Sequence, residues 1–143
     1  MTQTLEQYLL ARVAEECSEL AKAAMKAQSF GMESFSPKDK ASAADVIDAE
    51  YIDVETVYGM LNDHRGSLVG PVAIPTEKHL RKRVKVIFFL RKAVHAGTVA
   101  LTAAEETWVE NIAESNVNYY ADVAEEHAKI QCVARGVNYD RGV

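Results

Sequence analysis

Between its turn residues the chain repeats apolar side chains every three or four positions and nowhere sustains a two-residue alternation. A helix, not a strand, presents one face at that interval. Turn residues mark three joints, Ser29 to Pro37, Asn62 to Pro75 and Ala96-Gly97-Thr98. The spacing between them predicts helices over about 3–28, 38–63, 76–96 and 99–135. Ser36 ahead of Pro37 reads as a helix N-cap, and Thr76 as another. Gly97 and Gly136 stand where helix ends favour a left-handed residue. Ser115-Asn116 is expected to break or kink the long last segment. The expected fold class is all-α, an antiparallel helical bundle of four to five helices forming a single domain over 1–143.

Composition bounds what such a bundle does. The longest uninterrupted apolar run, Val86 to Leu90, is far short of the ~20 residues that span a bilayer, so no membrane partner is expected. Met1-Thr2-Gln3-Thr4 lacks the pattern of a secretory leader. Two cysteines, Cys17 and Cys132, exclude a disulfide scaffold, and a cytoplasmic location is the expectation. The formal charge of −5 disfavours a stable nucleic-acid partner, whose affinity comes from cations meeting phosphates. The four histidines show neither Glu-x-x-His nor i, i+4 spacing, which argues against a di-iron bundle and a zinc-protease motif.

The informative departures from the apolar pattern are acidic. On a wheel of about 100° per residue, Leu5, Leu9, Val13, Cys17, Leu20 and Ala24 form one stripe of the first helix. Glu16 falls inside that stripe, and Glu19, three residues on, at its edge about 60° away. In the second helix Val46, Ile47, Val54, Val57, Tyr58 and Leu61 form the stripe. Glu50 lies near its middle, with Asp53 about 60° to one side. Asp45, Asp48 and Glu55 fall on the opposite face and read as solvated charge. An unpaired carboxylate in an apolar core is costly, and several together repel. A divalent cation removes both problems, and oxygen-only ligands suit hard ions. Glu16, Glu19, Glu50 and Asp53 are therefore candidate ligands of Mg2+, with Mn2+ as a substitute. One i, i+3 acidic pair is commonplace; two pairs on separate helices, each with its first member in the apolar stripe, carry the signal.

The stretch Glu15-Glu16-Cys17-Ser18-Glu19-Leu20, followed by Glu50-Tyr51-Ile52-Asp53-Val54, resembles the MazG-like, all-α nucleoside triphosphate pyrophosphohydrolases. That superfamily includes dimeric dUTPases and phosphoribosyl-ATP pyrophosphohydrolases, and its signature is Glu-x-x-Glu on one helix and Glu-x-x-Asp on the next. The resemblance covers about residues 12–61. It implies that a nucleoside triphosphate binds through Mg2+ held by these acids. Water then attacks the α-phosphorus, giving a (d)NMP and pyrophosphate; the base is not read from the sequence, and purine or guanine nucleotides are the first to test. It also implies a general base at Glu16 or Glu19, and a site completed in a homo-oligomer, a dimer or tetramer, for which the Val99–Arg135 segment offers an apolar surface.

Substrate contacts are less marked. Lys129 and Arg135 stand in a C-terminal segment that loosely resembles the phosphate-binding tail of family members. Arg91 lies near the centre of the third helix's apolar stripe, where an inward guanidinium pairs with the acids, clamps a phosphate, or reaches past the core to water. Asn116 lies on the stripe of the last segment, suited to a base edge or to capping a helix. Lys78, Arg81, Lys82, Arg83, Lys85 and Lys92 fall off the third helix's stripe and read mainly as a solvated face. The rival to an enzyme is a non-catalytic helical interaction module whose inward acids pair with Arg91 and its neighbours.

Overall fold

A computed structural model of the chain describes residues 2–36, 40–66 and 76–135. Its described residues are mostly helical: α1 spans Leu5–Phe30, α2 Ala43–Arg65, α3 Glu77–His95, α4 Ala103–Ser115 and α5 Val117–Ala134. Four two-residue strands complete the elements: β1 (Gln3–Thr4), β2 (Phe35–Ser36), β3 (Ala41–Ser42) and β4 (Val99–Ala100).

Local side-chain chemistry sets the helix starts. The Thr4 hydroxyl accepts from the Gln7 N–H while the Gln7 amide oxygen accepts from the Thr4 N–H, satisfying two donors at the start of α1. Ser42 and Asp45 repeat the device on α2, and Thr102 and Glu105 on α4. The second helix thus starts after Ser42, not after Ser36. Ser36 is instead in β2, paired antiparallel with β3, and Pro37 lies outside the described residues. Thr76 does stand at the cap position of α3, where its N–H donates to His79 Nδ1 at 3.1 Å. The last predicted helix is two, α4 and α5, divided at Asn116 as the Ser115-Asn116 pair suggested. Gly66 and Gly97 take positive φ at or just past helix ends, whereas Gly136 lies outside the described residues.

Contacts fix the direction of α2 relative to α1. Glu6 reaches Arg65 at 3.6 Å, Glu16 and Asp53 share a lysine, and Ala23 and Phe30 line one cavity with Ala43 and Val46. Rising numbers on α1 meet falling numbers on α2, so the two helices run antiparallel. α3 packs on α2, and its consecutive Lys82 and Arg83 reach Asp53 and Asp63 respectively. α5 lies against α3 through edge-to-face rings, Phe88 on Tyr120 and Phe88 on His127. β1 pairs in parallel with β4, tying the start of α1 to the joint between α3 and α4.

The largest fully buried side chains, Leu5, Leu9, Val57, Met60, Ile87 and Leu90 among them, gather where the start of α1 meets the end of α2 and the second half of α3. The buried line on α1 runs through Leu5, Tyr8, Leu9, Glu16, Ala23 and Ala27. It is displaced from the expected stripe, so Cys17 is exposed; Tyr58 of α2 is likewise half exposed. The apolar core thins beyond Leu9 on α1 and before Thr56 on α2, and the acids stand at that boundary. Leu9→Ala is expected to lower the unfolding free energy by about 2–5 kcal/mol in urea titrations, whereas Leu10→Ala, half exposed one residue on, should cost under about 1 kcal/mol.

Candidate metal centre

Helix geometry brings three of the four expected acids together. Glu16 is 8% exposed, the one acidic residue among the buried side chains described. Glu50 and Asp53, one turn apart on α2, face it half-buried. Each of the three offers a carboxylate oxygen, and those oxygens all lie within 4.8 Å of one another. Oxygens around one Mg2+ at about 2.1 Å stand about 3 Å apart when adjacent and about 4 Å when opposite. A single hard cation, which the all-oxygen donor set suits, would draw these oxygens closer together.

Glu19, the fourth expected ligand, is placed differently. It is exposed and receives a 2.6 Å hydrogen bond from Lys22, which holds its carboxyl below the ordinary range. Its charge is still near enough to bear on Glu50. Glu15 is solvent-facing and pairs with Arg12.

The unexpected member is Lys82. Its Nζ lies 2.7 Å from Glu16 Oε2 and 2.7 Å from Asp53 Oδ2, with the side chain 12% exposed. The wheel assigned Lys82 to a solvated face. The missed signal was the five-residue run Val86 to Leu90, which is wider than one stripe. Val86, one turn after Lys82 on the same face, is buried with Ile87, Phe88 and Leu90, so that face turns inward. Burial alone would lower the Lys82 pKa, but hydrogen bonds to Asp53 and Glu16 outweigh it and hold the ammonium above its ordinary value.

Among the described residues Glu50 has no such bond. Burial first, then the neighbouring charges of Asp53 and Glu16, push its carboxyl above the ordinary range, and Lys82 offsets this only in part. One ammonium among three carboxylates leaves the cluster short of positive charge.

Two open cavities flank it. One, of about 270 Å³, is lined by Glu50 and Asp53 with Lys78, Arg81, Lys82 and Lys85, and is bordered by Val123 and Glu126 of α5. The other, of about 280 Å³, is lined by Tyr8, Arg12, Glu15 and Glu16 with Lys82, Lys85 and Phe89. The four expected substrate contacts line neither. Arg91 pairs with Glu110 at 3.4 Å and lies over the Tyr120 ring, its side chain 43% exposed, rather than bridging to the acids. Asn116 ends α4, its side-chain N–H donating to the Ile112 carbonyl at 2.9 Å. Lys129 bonds Glu125 at 2.6 Å one turn away, and Arg135 is exposed just beyond α5.

No protein-family model, curated protein or solved structure matches the chain.

The raised Glu50 pKa carries a sign. The fold favours its protonated form, so the stability this gives is complete below the ordinary carboxylate range and is lost as pH rises through the elevated value. Glu50→Gln is expected to raise the metal-free melting temperature at about pH 7, with the gain shrinking as pH falls towards about 4. Thermal scans across pH without divalent ions check it.

Proposed function

We propose that the chain is a metal-dependent nucleoside triphosphate pyrophosphohydrolase, converting a (d)NTP and water to a (d)NMP and pyrophosphate. The observation that carries this reading is the convergence of Glu16, Glu50 and Asp53 from two helices, beside an open cavity whose other wall is cationic. Acids alone would suit many cations. Acids facing Lys78, Arg81 and Lys85 across one cavity suit a cation that itself carries a polyphosphate.

Glu16, Glu50 and Asp53 would hold Mg2+, or Mn2+ in its place. When bound, the ion supplies charge against the phosphate oxygens and acidifies the attacking water. The water oxygen forms a bond to the α-phosphorus, the bond to the α–β bridging oxygen breaks, and pyrophosphate leaves. The proton released goes to a carboxylate. Of the two acids expected in that role, Glu16 sits in the cluster and Glu19 is held outside it by Lys22. The base role is therefore assigned to Glu16, with Glu19 tuning the charge on Glu50. The phosphates rest on the α3 cations, and the base, with guanine as the first candidate, lies beyond them. No helix among the described residues is long and apolar enough to cross a membrane. Assembly as a cytoplasmic dimer or tetramer with an antiparallel bundle completes the reading. Leu10 of α1 and Tyr51 and Tyr58 of α2, all at least half exposed, supply apolar surface for it.

A second reading has one observation in its favour. Lys82 already bonds two of the three acids, as a structural module with internal ion pairs would require, although with Lys82 rather than Arg91. A panel of the common (d)NTPs and dUTP with Mg2+, scored by product, separates the two. The enzyme releases pyrophosphate rather than orthophosphate from at least one nucleotide, only with Mg2+ or Mn2+, and Glu16→Gln lowers turnover by at least about 10²-fold while leaving the helical circular dichroism intact. A module releases neither product from any of them.

A further inference from the structure

Lys82 stands where the metal reading needs a cation, and its surroundings define what happens when one arrives. Its Nζ is within hydrogen-bond distance of Glu16 and Asp53, two of the three acids whose oxygens lie within 4.8 Å of one another. A divalent ion among those oxygens would be brought against the ammonium. Two cations at that separation repel strongly, so both cannot keep their acid contacts. The Lys82 stem is four flexible carbons long, and the side chain borders both cavities. Withdrawal moves its head into space already lined by Lys85, and on the α5 side also by Lys78 and Arg81. Glu126 is the acid that cavity adds to the cluster, and beside Lys78, Arg81 and Lys85 it compensates a fourth cation only in part unless an anion arrives with it.

Resting on the metal reading above, we infer that Lys82 is a built-in counter-cation which Mg2+ displaces from Glu16 and Asp53, and that the freed ammonium then joins Lys85 in binding the polyphosphate. Two consequences follow. The metal-free cluster stays folded because Lys82 neutralises part of it. Metal and polyphosphate bind cooperatively, because each removes a repulsion that the other would meet alone. Lys82 is thus a positioning residue before substrate arrives and a phosphate contact afterwards.

The test is calorimetric titration of Mg2+ alone into the full-length protein and its Lys82→Met variant, followed by titration of inorganic tripolyphosphate into each with Mg2+ present. The variant is expected to bind Mg2+ about tenfold tighter, having no competitor, and tripolyphosphate about tenfold more weakly. Equal or weaker Mg2+ affinity in Lys82→Met, with the wild type binding Mg2+ normally, overturns the displacement and leaves the metal reading standing. Unchanged tripolyphosphate affinity overturns the transfer of Lys82 to phosphate. Mg2+ binding to neither protein removes the metal reading, and this inference with it. Should Lys82→Met not fold without metal, Glu16→Gln is compared with Glu16→Gln/Lys82→Met, in which one acid leaves along with the ammonium. The double variant is then expected to bind Mg2+ the tighter of the two, and equal affinities overturn the displacement.

Discussion

The rest of the site depends on the cost of placing three carboxylates side by side, one of them buried. Glu16 is buried on the face of α1 that packs on α2, and Glu50 and Asp53 meet it from α2. Left alone, such a group would take up protons or push its helices apart. The fold meets the cost in part through Lys82, whose ammonium bridges Glu16 and Asp53, and leaves Glu50 with a raised proton affinity. Buried ion pairs contribute little to stability relative to apolar packing of the same volume.

The scaffold concentrates its apolar packing away from this cluster. Leu5 and Leu9 with Val57, Met60, Ile87 and Leu90 form a dry core at one end of the α1–α2 pair, and the acids begin where that core thins. This arrangement fixes the helix axes through packing and leaves the polar side chains to set the chemistry. Parallel pairing of β1 with β4 and the reciprocal caps at Thr4, Ser42 and Thr102 hold the helix starts.

Much of this was legible in the sequence. Helical spacing gave the class, and the wheel placed Glu16 inward because its neighbours on that face, Leu5 and Leu9, are apolar. The same three-residue offset had opposite outcomes on the two helices. Glu19 turns to solvent and to Lys22, whereas Asp53 stays in the cluster because α3 crosses on that side and extends Lys82 towards it. A wheel drawn for one helix holds no information about which side the next helix takes. Lys82 was misplaced because a single stripe was drawn where the run Val86 to Leu90 turns a wider face of α3 inward. The break at Asn116 was signalled by its type, and the structure gives that side chain to the Ile112 carbonyl. α2 starts after Ser42, where Ser42 and Asp45 close a reciprocal cap, a signal that the Ser36-Pro37 pair overshadowed in the sequence.

The central claim is that the three acids converge on a divalent ion. Crystals grown with Mn2+ and measured for its anomalous signal test it most directly. The account predicts a single strong peak about 2.2 Å from oxygens of Glu16, Glu50 and Asp53, with Lys82 Nζ withdrawn from Glu16 and Asp53. A map without that peak, with Lys82 still bridging Glu16 and Asp53 at saturating Mn2+, would contradict it.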